Sequence, residues 1–153
     1  IFKDSPIIEA IGSVDEANSF LGICADCPNN NLHKKIVIIQ RALFTVGGIL
    51  AGAKLSISNK QIEYLENEID SMDKELQKLS GFILPGGGFT GSHLFMARTL
   101  IRKAERKLVR LSKEEKVPAS VLVYVNRLSD YVYTLARYSN LKEGIKEESW
   151  KRK

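Results

Sequence analysis

Hydrophobic residues recur at helical spacing along most of this chain, and the stretch from Ser58 to Leu79 shows the pattern most clearly. There the apolar residues are three and four positions apart in turn, which places them in one stripe along a helix. They are Ile62, Leu65, Ile69, Met72, Leu76 and Leu79. Ser58 and Gln61 form a capping-box pattern, which predicts that the helix begins there. Such a stripe must pack against other elements, and no strand pattern of period two persists anywhere in the chain.

Four further segments have helical periodicity. We expect helices from about Pro6 to Cys27, from Leu32 to Gly52, from Gly91 to Lys113 and from Pro118 to Leu141. The second is so dense in apolar residues that we expect it to be the central, most buried helix. The chain has 153 residues and no internal repeat. The sequence therefore predicts one all-α domain over residues 1–153, a bundle of about five helices with short loops.

Composition excludes several classes of protein. With 44% hydrophobic and 27% charged residues, the chain is typical of globular proteins rather than of disordered ones. No stretch approaches the roughly 18 uninterrupted apolar residues of a membrane-spanning helix. The net charge of +5 is common at this length, and much of the excess lies in residues 150–153. We therefore expect no nucleic-acid partner and no membrane association.

Cys24 and Cys27 form a single C-x-x-C pair with no second pair and no metal-ligand spacing. Inside a helical segment we expect them to be reduced, partly buried thiols, and we predict no metal site. The first residue, Ile1, is not methionine, and no positively charged leader precedes an apolar stretch. We expect a cytoplasmic protein from whose front a segment is missing.

The fourth predicted helix carries charged residues beside its apolar stripe. Arg98, Arg102 and Glu105 lie within about 60° of arc, and Arg106 neighbours Arg102. Arginine is suited to forked contacts with phosphate or carboxylate, so the row indicates an anion-binding surface. The alternative is an exposed ladder of arginine–glutamate pairs within one helix, each contributing roughly 0.2–0.5 kcal/mol.

The fifth predicted helix has a similar polar row of Asn126, Asp130, Tyr133 and Arg137. Asparagine has a mediocre helix propensity, so a task for the Asn126 side chain is plausible. The alternative is a surface face on which Asp130 pairs with Arg137 or Arg127.

The irregular segment 81–89 joins the third and fourth predicted helices. Its run Gly86–Gly88 either brings backbone N–H groups to an anion or is a flexible connector, and it lacks the Lys-Ser/Thr of a Walker A loop. Phe82 and Phe89 flank the glycines, and each is either a ligand contact or a satellite of the core.

Four groups of residues, in order along nearly the whole chain, resemble the propanediol-utilisation (PduO) type of ATP:cob(I)alamin adenosyltransferase. They are Lys3–Pro6 with Glu9–Ser19, Phe82–Gly87, Ala97–Thr99 with Arg102–Arg106, and Asn126–Asp130 with Leu135–Arg137. The resemblance implies a five-helix bundle assembled as a homotrimer, with active sites between subunits.

The implied reaction transfers the 5′-deoxyadenosyl group of ATP, bound with Mg²⁺, to the cobalt of cob(I)alamin and releases triphosphate. Its nucleophile is Co(I), which agrees with the lack of a Ser/His/Asp or Cys/His constellation here. The protein's task is then positioning and electrostatics. The resemblance also implies that a cobalamin reductase or a cobalamin-dependent enzyme is a possible partner.

The resemblance also assigns roles to individual residues. Those on the ATP-contacting positions are Arg102, Lys103, Glu105, Arg106 and Asn126, with Lys3 on a phosphate-binding lysine. Arg98 and Asp15 fall on a charge pair that crosses the subunit interface, and Asp130 orients part of the network. Phe82 falls on the aromatic residue that packs against the lower face of the corrin. There it excludes the lower axial ligand and leaves four-coordinate Co(II), which is easier to reduce.

The sequence departs from the family pattern in two places. The family has a Gly/Thr-rich segment that wraps the ATP phosphates just before the position of Lys3, and this sequence begins after it. Either that segment was trimmed or the protein lacks it. Gly88 and Phe89 also replace the small and polar residues expected after the Pro-Gly-Gly.

Two other functions therefore stay open at this point. One is a non-catalytic helical module that binds an acidic partner or RNA. The other is a degenerate homologue that binds or delivers cobalamin without turning over ATP.

Overall fold

The computed structural model describes residues 2–151 and contains five α-helices. They are α1 (Pro6–Ala25), α2 (Asn30–Leu50), α3 (Asn59–Asp73), α4 (Phe89–Ser112) and α5 (Ala119–Lys142). Within the described range the only β pairing is an isolated antiparallel bridge between Ile83 and Ser149. The predicted all-α, five-helix fold is confirmed. None of these helices is both long enough and apolar enough to span a membrane.

Helix α5 lies at the centre of the bundle, packing against α4, α3 and, over a short stretch, α2. Its apolar stripe, including Leu128, Val132 and Leu135, is fully buried. Helices α4 and α5 run antiparallel, since Phe95 contacts Tyr133 and Glu105 contacts Asn126. Helix α1 covers the other side of α4, and α2 packs on α1.

The prediction that the second helix is the most buried one was wrong. Helix α2 buries one stripe, including Ile36, Ile39 and Leu43, but leaves Ile38 and Phe44 exposed, the latter by 79%. Apolar residues cover more than one face of this helix, and among residues 2–151 only one of those faces is covered by other helices.

Helix α3 begins as predicted, with the Ser58–Gln61 capping box formed in both directions. It ends at Asp73, six residues before the predicted Leu79. The continuation was wrong because the backbone turns after Met72, and the Gln77 carbonyl instead accepts a hydrogen bond from Arg137 at 2.7 Å. Met72 is the last fully buried residue of the predicted stripe, and Leu79 is exposed.

Candidate active site

The polar rows predicted on the fourth and fifth helices meet where α4 and α5 cross. Asn126 Nδ2 donates to Glu105 Oε2 at 2.6 Å, and Arg127 Nη1 donates to Asn126 Oδ1 at 2.9 Å. Arg127 Nε also pairs with Glu66 Oε1 of α3 at 3.3 Å. This chain of contacts fixes both polar groups of the Asn126 amide. It leaves the other Glu105 oxygen without a hydrogen-bond partner among residues 2–151, on a side chain that is partly exposed.

Two arginines on the same face of α4 make no ion pair with any described residue. The Arg98 guanidinium lies 5.2 Å from the centre of the Tyr133 ring, and Tyr133 packs edge-on against Phe95 at 5.7 Å. Arg102 is exposed one turn further on. The alternative of a self-paired arginine–glutamate ladder does not form, because Glu105 bonds across to α5.

Lys103 and Arg106 occupy different sides of α4. Lys103 Nζ pairs with Glu16 Oε1 of α1 at 2.9 Å, which directs it away from the α5 side of the helix. Lys107 makes a similar pair with Glu9 at 3.6 Å. Arg106 is exposed and has no ion pair with a described residue. Of the predicted cationic ATP contacts on α4, Lys103 is thus the one paired with an acidic residue.

Asp15, Lys3 and Asp130 all lie at the surface. Asp15 borders a groove of about 350 Å³ between α1 and α2, together with the exposed Phe44 ring. Its carboxylate has no ion pair within the described chain, and it does not meet Arg98. Lys3 lies in the turn before α1. Asp130 pairs with neither Arg127 nor Arg137. Its backbone carbonyl accepts a hydrogen bond from the Thr134 hydroxyl.

Phe82 lies in the segment between α3 and α4 with 78% of its surface exposed. Its ring makes none of the aromatic contacts found among residues 2–151. Phe89 differs, since its ring lies 4.0 Å from that of His93, which in turn stacks on Phe20 at 5.9 Å. A phenyl ring this exposed gains little from the fold, so Phe82 is available to a ligand.

A family model described as Cobalamin adenosyltransferase matches residues 1–139. The chain belongs to the cobalamin adenosyltransferase family. The predicted family is confirmed, and with it the expected enzyme class, an ATP:corrinoid adenosyltransferase.

Curated relatives in this family carry the same assignment. The corrinoid adenosyltransferase of Bacillus subtilis (strain 168) is 38% identical over 98% of this chain and 82% of its own length. The corrinoid adenosyltransferase MMAB of Homo sapiens is 36% identical over 95% of this chain and 64% of its own length. For the PduO protein of Salmonella typhimurium the identity is 39%, over 90% of this chain and 43% of the relative.

Solved structures of the family superpose closely on this chain. A variant PduO-type ATP:corrinoid adenosyltransferase from Lactobacillus reuteri, complexed with cobalamin and ATP, gives a TM-score of 0.95 at 33% identity. That match covers 99% of this chain and 90% of the other. A second variant from the same organism, complexed with ATP, gives 0.94 at 34% identity, over 99% of this chain and 90% of the other. The backbone described here is therefore the adenosyltransferase fold.

The glycine segment of this adenosyltransferase is held by a residue that the sequence analysis did not single out. Asn140 of α5 accepts from the Gly88 N–H at 3.0 Å and donates to the Gly86 carbonyl at 2.8 Å. Gly86 and Gly87 have positive φ, and a Cβ on Gly87 would collide with Asn140. The segment is neither a free anion cradle nor an untethered connector.

Arg137 was predicted as part of the Asn126 row but has a different partner. It is only 6% exposed, and its Nε and Nη2 donate to the two Glu147 oxygens at 2.5 and 2.9 Å. The Glu147 carboxylate raises the pKa of Arg137 above its ordinary value. The sequence contained one sign of this pairing. Arg137 directly follows Leu135 and Ala136, which are buried, and a buried arginine requires a charged partner from elsewhere in the chain.

Both cysteines are free, as predicted. Burial raises the pKa of the Cys24 thiol to about 12 and raises that of Cys27 as well. Such thiols stay protonated at neutral pH and are poor nucleophiles.

Proposed function

We propose that this chain transfers the 5′-deoxyadenosyl group of ATP to the cobalt of cob(I)alamin. A bond forms between cobalt and C5′, the bond between C5′ and its phosphate oxygen breaks, and triphosphate leaves. One observation carries the proposal. Arg98 and Arg102, which have no ion pair among residues 2–151, lie beside the Glu105–Asn126 pair on the helix that follows the exposed Phe82 segment. Cationic groups that are already in place stabilise the negative charge that develops on the departing triphosphate.

The α4–α5 surface is suited to the ATP half of the reaction. Arg102 and Arg106 offer forked donors that no described acidic residue occupies, and phosphate oxygens match that geometry. The Glu105–Asn126 pair leaves a carboxylate oxygen free to accept from a ribose or adenine donor. Lys3 adds a mobile point charge, and Lys103 joins only by leaving Glu16. Mg²⁺ arrives with the ATP, bound through its phosphate oxygens.

Phe82 serves the cobalamin half. A phenyl ring with 78% of its surface in solvent loses unfavourable water contact when it packs on the lower face of a corrin. In that position it leaves no room for a lower axial ligand, and the cobalt becomes easier to reduce.

We infer a homotrimer with each site shared between neighbours. The α1–α2 face offers the exposed Phe44 and Ile38 and a groove of about 350 Å³, an apolar surface of the kind that partner subunits cover. Asp15 lies on this face, and Arg98 lies on the α4–α5 face with no acidic partner among the described residues. The Asp15 carboxylate and the Arg98 guanidinium can pair when those two faces meet across a subunit boundary.

The protein works in the cytoplasm under this proposal. Two free cysteines are in keeping with a reducing compartment. Co(I) must be supplied by an electron donor, so a cobalamin reductase is the expected partner on the substrate side. A cobalamin-dependent enzyme is the expected recipient of the product.

The deciding experiment incubates the protein with ATP, Mg²⁺ and chemically reduced cob(I)alamin without oxygen. We expect the absorbance to change to that of adenosylcobalamin, and one triphosphate to be released for each cobalt–carbon bond. A reaction without ATP is the control. Tight cobalamin binding without product would instead identify a carrier protein and refute the proposal.

A further inference from the structure

The C-terminal tail, residues 143–151, pairs with the segment that carries Phe82. The Leu84 N–H donates to the Glu148 carbonyl at 2.8 Å, and the Trp150 N–H donates to the Phe82 carbonyl at 2.9 Å. Between them Ile83 and Ser149 form the antiparallel bridge. The backbone of Phe82 is therefore tied to the last described residues of the chain.

The tail is anchored to the bundle by a charge pair between the buried Arg137 and the partly exposed Glu147. Both Glu147 oxygens accept from the Arg137 guanidinium, and Arg137 Nη2 also donates to the Gln77 carbonyl. A single guanidinium thus joins α5, the tail and the segment after α3. Because Arg137 is only 6% exposed, it depends on Glu147 for charge compensation.

The opposite end of the Phe82 segment is fixed as well. Asn140 bonds to Gly86 and Gly88, and side chains at Gly87 and Gly91 would collide with it. Two bonds to Asn140 and two to the tail leave the Phe82 backbone little freedom, although its ring is exposed. The position of the ring is then set by the tail and by α5 rather than by packing of the ring itself.

We propose that Glu147 and Arg137 are positioning residues for Phe82, which they hold against the corrin through the C-terminal tail. The proposal rests on the proposed function, in which Phe82 packs on the lower face of the corrin. When the pair is broken, the tail leaves residues 82–84, and the phenyl ring no longer occludes the lower axial position.

The test compares Glu147→Ala with Glu148→Ala, the neighbouring carboxylate, which is exposed and forms no ion pair among residues 2–151. Trp150, the only tryptophan of the 153 residues, reports directly on the tail. We expect Glu147→Ala to increase quenching of its fluorescence by acrylamide and Glu148→Ala to leave the quenching unchanged. Glu147→Gln keeps one acceptor for Arg137 and should give an intermediate result. It replaces Glu147→Ala if that variant does not fold.

The second measurement is made on bound cobalamin. We expect Glu147→Ala to lower the fraction of four-coordinate cob(II)alamin, seen by electron paramagnetic resonance and absorbance. We also expect it to raise the KM for cobalamin about tenfold, as for loss of one charge-assisted contact, with the KM for ATP unchanged. In a Phe82→Ala background the same substitution should add nothing further, because its effect passes through that ring.

Two results distinguish failure of the positioning role from failure of the proposed function. Suppose that the wild-type enzyme is active and that Trp150 quenching rises in Glu147→Ala. If the four-coordinate fraction and the KM for cobalamin are then the same in Glu147→Ala as in Glu148→Ala, the positioning role alone is overturned. A wild-type protein that forms no adenosylcobalamin at all overturns the proposed function.

Discussion

Replacing Arg102 with alanine separates catalysis from folding more cleanly than any other single change on the α4–α5 face. The side chain is exposed and has no ion pair among residues 2–151, while its neighbours Ile101 and Ala104 are buried. Alanine is a stronger helix former than arginine, so α4 loses nothing in backbone preference. Surface substitutions of this kind change the free energy of unfolding by about 0.5 kcal/mol or less.

The expected effect on the reaction is far larger. If Arg102 holds an oxygen of the departing triphosphate, its loss removes a charge-assisted contact that strengthens as negative charge develops on the leaving group. Removing one donor that stabilises developing charge costs about 2.7–4 kcal/mol, or about 10²- to 10³-fold in kcat. Transition-state stabilisation is therefore expected to change several times more than stability.

The assay follows adenosylcobalamin by absorbance, with thermal unfolding of the same sample measured in parallel. Arg110→Ala is the matched control, since it removes an exposed arginine from the last turn of the same helix. We expect Arg102→Ala to melt within about 2 °C of the wild type and Arg110→Ala to stay close to full activity. Activity of Arg102→Ala within threefold of the wild type, or a large loss of melting temperature, would refute the reasoning.

Three further predictions concern other parts of the molecule. Asn126→Leu should raise the KM for ATP and lower the free energy of unfolding by about 1.5–3 kcal/mol, because Glu105 loses its partner; unchanged ATP kinetics would contradict the assignment. If the proposed trimer assembles through this face, Phe44→Asp should give monomers in sedimentation while helicity persists, since the ring is 79% exposed in one chain; a trimer that persists in the variant would exclude this face. An aromatic disulfide reagent at pH 8 should modify Cys27 well before Cys24, whose pKa of about 12 leaves about one thiolate in 10⁴; equal rates would show that burial does not protect Cys24.

Local sequence signals located the helices but not every end. The Ser58–Gln61 box marks the start of α3 because its hydrogen bonds are all within four residues. The early end at Asp73 is different: the chain turns after Met72, and the Gln77 carbonyl beyond the turn accepts a hydrogen bond from Arg137, 60 residues away. Periodicity alone contains no information about such a distant partner.

The same distinction applies to the candidate site. The spacing of Arg98, Arg102 and Glu105 predicted one face of α4, and the Asn126–Glu105 bond joins that face to the row on α5. Asn140 gave no comparable signal, because its partners are backbone groups of a glycine segment more than 50 residues earlier. Polar residues that serve a neighbouring backbone are not recognisable by side-chain pattern.

The error over α2 has a physical cause that bears on function. Burial within a chain and burial between chains require the same apolar residues, so the density of such residues on α2 could not say which neighbour covers them. In one chain Phe44 remains in solvent, and Asp15 beside it has no ion pair among residues 2–151. A carboxylate at the rim of an apolar groove favours a partner that brings both hydrophobic surface and a cation. In the proposed trimer the α4–α5 face of a second copy brings the cation in Arg98, and the apolar surface that misled the helix assignment is then the one on which the shared active site depends.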